Sequence, residues 1–145
     1  MADILAKETC IFDVWGCFTI REDSFFGRNI PTIFIWMDKL YKKANGNSSK
    51  LQVLFRLVLL HELAHALMFT GKFHNDTWHK INEESLANAY ALTKIKATTN
   101  ENAYKYAKEI VLSQPSHYAL GAYYAEKYGT KLIYDKMESW SKSKY

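Results

Sequence analysis

The sequence contains few of the residues that break or crosslink a chain: six glycines, two prolines and two cysteines among 145 residues. The scarcity of glycine and proline argues against a turn-rich β sandwich and favours long helices. Cys10 and Cys17 do not form a CxxC pair, so we interpret them as two reduced, half-buried thiols rather than a disulfide or metal ligands. The first ten residues, MADILAKETC, lack an apolar segment, so we expect no signal peptide and a cytoplasmic location.

Neither an excess of one charge nor a long hydrophobic run marks this chain. Lys and Arg number 19 against 15 acidic residues, without a dense basic cluster. The net charge of +4 therefore predicts a solvated surface rather than direct nucleic-acid binding. The most apolar stretch, residues 51–60, contains Gln52 and Arg56 and is too short to cross a bilayer, which argues against a membrane protein.

The fold class predicted by the residue pattern is α+β. β-branched and aromatic side chains near the N-terminus indicate a small antiparallel sheet of about three strands, over residues 11–15, 17–20 and 33–36. Gly16, between the first two, indicates a bulge or a close backbone approach, and residues 22–29 a loop. This sheet is expected to pack on a mostly helical domain.

Helices are expected over most of the remaining chain. The longest, over residues 50–70 with Gly71 as its stop, is apolar on most of its circumference, which is typical of a central helix. Residues 72–81 are polar and are interpreted as irregular, with Asp76 or Asn82 capping the next helix. That helix and three more are expected over 83–97, 102–112, 115–129 and from 130 onward. The composition, with 48% hydrophobic residues, predicts one domain over residues 1–145, with a core over 10–95 and a helical C-terminal extension over 97–145.

The motif that carries chemistry is His61-Glu62-Leu63-Ala64-His65. Two histidines four residues apart on a helix project from the same face, so both imidazoles can bind one Zn²⁺. Glu62 lies about 100° around the helix from His61, where it can act as general base rather than as a ligand. The alternative is a pair of core histidines, but three ionisable groups in one turn of a central helix are costly without a metal.

A third zinc ligand is expected from the acidic pair that opens the next helix. Glu84 shares a helical face with Ala87, Asn88 and Ala91, whose small size allows close approach to the HExxH helix. Glu84 is therefore favoured as the ligand, with Glu83 and His79 as alternatives, and Asn88 can hydrogen-bond a ligand histidine.

The remaining candidate residues concern the substrate. A peptidase needs a donor for the developing oxyanion, and we select His117 among the candidates His117, Tyr118, Tyr123 and Tyr124. An exposed edge strand can pair with extended substrate backbone, and Ile33, Phe34 and Ile35 are the candidate strand.

The two motifs together resemble a known family. HELAHAL followed by EESLANAYAL resembles the ImmA/IrrE-type metallopeptidases of phages, integrative elements and bacteria, whose pattern is HExxH followed by E-x-x-A-N-x-(aromatic)-A. The resemblance covers residues 10–95. It implies a minimal gluzincin fold with zinc on His61, His65 and Glu84, and cleavage of a repressor-type protein. Leu86 departs from the family, many of whose members have a second acid there, and residues 97–145 match nothing in it.

The sequence therefore predicts a zinc-dependent endopeptidase with one zinc per chain, acting on a protein or peptide substrate. The alternative is a non-catalytic zinc-containing binding module, such as an anti-repressor or adaptor. Glu62 argues for the enzyme, because a purely structural zinc site has no need of a general base. The oligomeric state is left open by the sequence.

Overall fold

The computed structural model describes residues 15–23, 25, 27–70 and 77–142, without the side chains of residues 77–79, 116, 117, 141 and 142. The described part is α+β, as predicted, and mostly helical. Its elements in chain order are strands β1 (Gly16–Asp23) and β2 (Arg28–Ile35) and helices α1 (Met37–Lys43), α2 (Ser48–Met68), α3 (Thr77–Thr98), α4 (Glu101–Leu112), α5 (Ser116–Lys127) and α6 (Thr130–Lys142).

The sheet within the described residues has two strands rather than about three. β1 and β2 pair antiparallel in unbroken register, from Gly16 opposite Ile35 to Asp23 opposite Arg28. The third expected strand, over residues 11–15, falls outside the described residues except for Trp15. The loop predicted over 22–29 is shorter than expected, because cross-strand pairing extends both strands through their polar ends, where Asp23 faces Arg28.

Gly16 brings β1 against α2. The pairing register contains no bulge at this position, so the close-approach alternative is the correct one. A Cβ on Gly16 would lie 2.5 Å from Val58 Cγ1 and 3.2 Å from Glu62 Cγ, which only glycine avoids. The neighbouring Cys17 is buried and disulfide-bonded, so the expectation of a reduced thiol is wrong at this residue.

Helix α2 begins and ends two residues before the predicted bounds. The Asn47 side chain caps it by accepting a hydrogen bond from the Lys50 backbone N–H, and the chain becomes extended at Phe69. The expected stop, Gly71, lies outside the described residues. One face of α2 is buried, as predicted, and includes Leu54, Val58, His65 and Met68.

Helix α2 is central, as predicted, but part of its apolar circumference is exposed to solvent. Phe55, Leu63 and Leu67 are 37%, 37% and 45% exposed on its other face. By length and composition α2 could cross a membrane, but a core helix passes the same test, and 39% of its apolar window is buried against the rest of the protein. Its contacts with the sheet and with α1, α3, α4 and α6 are those of a helix packed within a fold.

Helix α3 is the most enclosed helix of the described chain. Every residue from 84 to 93 is buried, because alanines alternate with larger side chains and let neighbouring helices approach from several sides. The helix begins at Thr77, six residues before the predicted start, so residues 77–81 are helical rather than irregular, and Asn82 lies inside the helix rather than capping it. Asp76 lies outside the described residues. The polar start of α3 lacks the apolar periodicity that would reveal a helix.

The remaining helices complete two hydrophobic clusters. Helix α1 was not predicted, because a single buried residue, Leu40, anchors it. Helices α4, α5 and α6 lie within two residues of the predicted bounds. One cluster joins α1, α2, α3, α4 and α5, and the other joins the C-terminal half of α2 to α3 and α6. The segment predicted as an extension therefore contributes buried residues to both clusters: Ala107, Ile110, Val111, Ala122, Ala125, Ile133 and Met137.

Candidate metal centre

Three predicted ligands meet between α2 and α3. The Nε2 atom of His61 lies 2.8 Å from Glu84 Oε1, and the Nε2 atom of His65 lies 3.1 Å from the same oxygen. The two Nε2 atoms are themselves 3.1 Å apart. His61, His65 and Glu84 are thus the metal-type cluster found among the described residues.

The local sequence explains this convergence. His61 and His65 are one turn apart on α2, and Glu84 faces them from α3. Ala87 and Ala91, on the same face of α3 as Glu84, are fully buried and leave little side-chain bulk between the helices. The predicted reason for choosing Glu84, a small-residue face that permits close approach, therefore holds.

The donor set fits a zinc ion. Two imidazole nitrogens and a carboxylate oxygen are common ligands of catalytic zinc. Ligand atoms held tetrahedrally about 2.0–2.1 Å from zinc are roughly 3.3 Å apart, so a shift of a few tenths of an ångström would accommodate the ion. His65 and Glu84 are only 1% and 2% exposed, and buried groups of this kind need paired charges or a metal.

Asn88 holds the His61 ring. Its Oδ1 lies 2.7 Å from His61 Nδ1, which confirms the predicted hydrogen bond to a site histidine. Its Nδ2 donates to Gln114 Oε1 and to the Tyr118 carbonyl, both at 3.0 Å. Because both amide hydrogens are used, Oδ1 must accept from the Nδ1–H of His61. With Nδ1 held in this way, Nε2 is the nitrogen that faces Glu84, and once deprotonated it is available to a metal.

Glu83 holds the other ring, a contact that the sequence analysis missed. Its Oε2 lies 2.6 Å from His65 Nδ1, the nitrogen facing away from the cluster. Trp140 on α6 places its Nε1 3.5 Å from the other carboxylate oxygen. Glu83 therefore contacts His65 from outside the cluster, whereas Glu84 lies within it. Sequence reasoning could have found this contact, because a metal-bound histidine usually donates its other ring N–H to a carboxylate. The other alternative ligand, His79, has no described side chain.

Glu62 lies beside the cluster without joining it. Its Oε2 is 3.9 Å from His61 Nε2, and its side chain is buried. Among the described residues no group hydrogen-bonds its Oε1. Burial raises the pKa of Glu62, although His61, His65 and a backbone hydrogen bond from Phe18 oppose the rise. A buried carboxylate oxygen with an unused lone pair is suited to accept a proton from a water molecule or substrate.

The metal-free cluster is held by charge. Burial alone would raise the pKa of Glu84, but His65 and His61 lower it to about 2. Burial alone would lower the pKa of His65, but the charge of Glu84 and the hydrogen bond to Glu83 raise it well above 6.5. The pKa of His61 is raised for the same reason, chiefly by Glu84 acting against burial. A divalent cation bound by these groups would compete with protons for the ring nitrogens.

The four candidate oxyanion donors all lie on α5, the helix predicted over 115–129. The side chain of His117 is outside the described set, although its backbone lies in the first turn of α5. Tyr123 is 66% exposed, and Tyr124 packs against the cluster around α6. Tyr118 is buried, and its pKa is raised first by burial and then by the charge of Glu84. Tyr118 is therefore a buried candidate whose pKa responds to the charge of Glu84.

The candidate substrate strand does not touch the cluster directly. Ile33, Phe34 and Ile35 are half-buried on β2 and pair with Phe18, Cys17 and Gly16 of β1. The strand that contacts Glu62 is β1, through Gly16 and the Phe18 backbone. Substrate binding by residues 33–35 stays a prediction.

Comparison of this chain with models of protein families, with curated proteins and with solved structures gives no match.

Proposed function

We propose that this protein is a zinc-dependent peptidase in which His61, His65 and Glu84 hold one zinc ion and Glu62 is the general base. The observation that carries the proposal is the convergence of three ligand atoms within 3.1 Å of one another, beside a buried carboxylate whose Oε1 has no partner among the described residues. Zinc, when bound at such a site, polarises the scissile carbonyl and lowers the pKa of water.

The protein's own groups have separate tasks in this reaction. Glu62 takes a proton from the attacking water and delivers it to the leaving amine. Burial raises the pKa of Glu62, which favours both halves of this proton transfer near neutral pH. Asn88 and Glu83 fix the orientation of the two imidazoles, so that both Nε2 atoms stay directed at the ligand position.

The substrate is proposed to be a protein or peptide. The resemblance to ImmA/IrrE-type enzymes suggests a repressor-type regulator, and an extended segment paired with a sheet edge is the expected binding mode. A cytoplasmic setting stays a prediction.

Metal analysis of purified protein tests the ligand set. We expect about one zinc per chain in the wild type and none in His61→Ala or Glu84→Ala. Glu83→Ala is the matched control, because it removes an adjacent carboxylate from the same helix turn and should keep the metal with reduced affinity. Zinc retained in Glu84→Ala but lost in Glu83→Ala would reverse the two roles. A wild-type protein that takes up no zinc would overturn the proposal.

Glu62→Gln tests catalysis separately from metal binding. The change keeps the shape of the side chain and removes its basicity, so zinc content should be unchanged and peptide cleavage should fall by at least about a hundredfold. Cleavage of a degenerate peptide library by the wild type, followed by mass spectrometry, supplies the assay. Equal cleavage by both proteins would exclude Glu62 as the base.

A non-catalytic zinc module is the second candidate. The burial of His65 and Glu84, with the His61 side chain only 13% exposed, favours it, because a site closed to solvent suits a structural ion. A chain that binds zinc, folds more stably with it and cleaves nothing in the library would support this candidate.

A further inference from the structure

The reverse side of α2 carries an apolar groove that the metal centre does not use. Its apolar lining consists of Met37, Leu51, Phe55, Leu59 and Leu60, and its volume is about 760 Å³. We call this the outer groove. Leu59 lies about 200° around α2 from His61, so the groove and the ligands occupy opposite faces of the same helix.

Several apolar side chains in and beside the outer groove are exposed to solvent. Met37 is 44% and Phe55 is 37% exposed, and Leu63 and Leu67 continue the stripe along α2 at four-residue spacing from Leu59. A contiguous apolar patch of this kind on a small protein marks a binding surface more often than an accident of composition.

The charge around the outer groove has one sign. Its remaining lining residues are Gln52, Arg56, Lys94 and Thr98, and none of the nine lining residues is acidic. Within the described part of the chain neither Arg56 nor Lys94 pairs with a carboxylate. Lys94 is held in place, since its Nζ lies 5.7 Å from the ring centroids of both Tyr90 and Tyr134. The groove therefore presents two positive charges without a paired carboxylate among the described residues, beside apolar surface.

The walls of the outer groove restrict the backbone of its occupant. All nine lining residues belong to α1, α2 or α3, and none belongs to a strand. Because no strand edge is present there to pair with an extended peptide, the occupant must satisfy its own backbone groups. A helix does so, and an amphipathic helix presents apolar side chains at i, i+3, i+4 and i+7 to such a groove.

We propose that the outer groove docks an amphipathic helix of a partner protein whose apolar face is flanked by acidic residues. The acidic flanks would face Arg56 and Lys94, and the apolar face would cover Phe55 and Leu59. A second copy of this chain fits less well, because two outer grooves brought together would bring their own positive charges together. The proposal is independent of the peptidase function, since it uses no residue of the metal centre.

Selection from a displayed peptide library tests the proposal. The library holds helical peptides of about 14 residues, long enough to form helix on binding, with leucines fixed at i, i+3, i+4 and i+7 and random flanking positions. Against the full-length chain, we expect the selected flanks to be enriched in Asp and Glu. Phe55→Gln should weaken binding of the selected peptides about tenfold or more, because aromatic anchors dominate such interfaces.

A control variant and a charge reversal test whether binding depends on the outer groove and on its positive charges. Leu120→Gln is the matched control, since Leu120 is 40% exposed on α5 outside the outer groove, and its binding should equal that of the wild type. The charge reversal Arg56→Glu with Lys94→Glu should remove the acidic preference while keeping the fold. The same measurements on Glu62→Gln should be unchanged, which separates this proposal from the peptidase proposal.

Several outcomes would overturn the docking proposal. Flanks without acidic enrichment, or equal binding by wild type and Phe55→Gln, would exclude an acidic helix in the outer groove. Concentration-dependent dimerisation in sedimentation that Phe55→Gln abolishes would assign the surface to a second copy. Binding to vesicles of phosphatidylcholine and phosphatidylglycerol that Phe55→Gln abolishes, without peptide binding, would assign it to a lipid surface.

Discussion

Gly121 is the point at which α5 lies closest to α3. A Cβ placed on it would be 2.4 Å from Asn88 Cβ, 2.9 Å from the Ser85 carbonyl oxygen and 3.0 Å from the Ala89 nitrogen. Two of these neighbours are backbone atoms of α3, which cannot rotate away as a side-chain end can. Gly121→Ala must therefore separate the two helices by up to about 1 Å to restore ordinary van der Waals contact.

Two opposing terms set the size of this effect. Alanine inside a helix is favoured over glycine by about 1 kcal/mol. Overpacking at a rigid contact typically lowers the free energy of unfolding by about 1–3 kcal/mol. A clash with two backbone atoms belongs at the upper end of this range. We therefore expect Gly121→Ala to destabilise the protein by on the order of 1–2 kcal/mol, although the same change in an open helix would stabilise it.

The same displacement should reach the metal centre. Asn88 lies under Gly121 and donates to Gln114 and to the Tyr118 carbonyl, both carried by α5 and the turn before it. Moving α5 lengthens these hydrogen bonds and loosens the Asn88 contact to His61. Loss of such a supporting contact typically weakens metal affinity about 10- to 100-fold, so zinc affinity should fall in Gly121→Ala.

Urea unfolding of the zinc-free chain and zinc competition with a chromophoric chelator measure the two effects. Gly129→Ala is the matched control, because nothing lies within 4 Å of a Cβ there, and both quantities should stay near wild type. A Gly121→Ala protein more stable than wild type by about 1 kcal/mol would show helix propensity alone and would refute the packing argument.

Three further predictions concern the metal centre. Without metal, the free energy of unfolding should be greatest between pH 4.5 and 6.5. Folding lowers the pKa of Glu84 from 4.5 to about 2, so on the order of 3 kcal/mol of stabilisation is lost as pH falls from 4.5 to 2. Folding raises the pKa of His65 above 6.5, so its stabilising contribution is lost as pH rises from 6.5 through the raised pKa. Urea titrations in chelator check this, and a maximum near pH 8 would contradict it. For the same reason zinc binding near neutral pH should release protons, which calorimetry in buffers of different ionisation enthalpy detects. Asn88→Leu should lower the free energy of unfolding by about 1–3 kcal/mol, because it leaves buried hydrogen-bond partners unpaired. The same change should weaken zinc binding. An unchanged zinc affinity would show that the hydrogen bond from His61 to Asn88 is not needed.

The cluster of His61, His65 and Glu84 was predictable from sequence because its geometry is local. His61 and His65 are related by one helical turn, and Glu84 by a face of small residues on the next helix. Neither inference depends on how the rest of the chain folds. The Asn88 contact followed from the same reasoning, since it lies one turn after Glu84 on that face.

The features that were missed depend on contacts between distant parts of the chain. Gln114 meets Asn88 across 26 residues, and Trp140 meets Glu83 across 57. The spacing of apolar and polar residues along the sequence does not indicate which distant residues form such pairs. The partly exposed side of α2 could not be predicted for a related reason. An apolar circumference predicts a central helix, but the positions of the sheet and of α1, α3, α4 and α6 decide which side is covered.

The C-terminal helices stabilise the candidate metal centre through their contacts with Asn88. If residues 97–145 were a separate attachment, the Asn88 amide would lose both of its acceptors, Gln114 and the Tyr118 carbonyl. Unpaired buried donors cost about 1–3 kcal/mol each, and Asn88 would then be free to turn its oxygen away from His61. The packing of α5 and the proposed binding of zinc would therefore act on the same amide. Since such coupling is reciprocal, zinc bound as proposed would stabilise the α3–α5 contact by the same free energy by which that contact strengthens zinc binding.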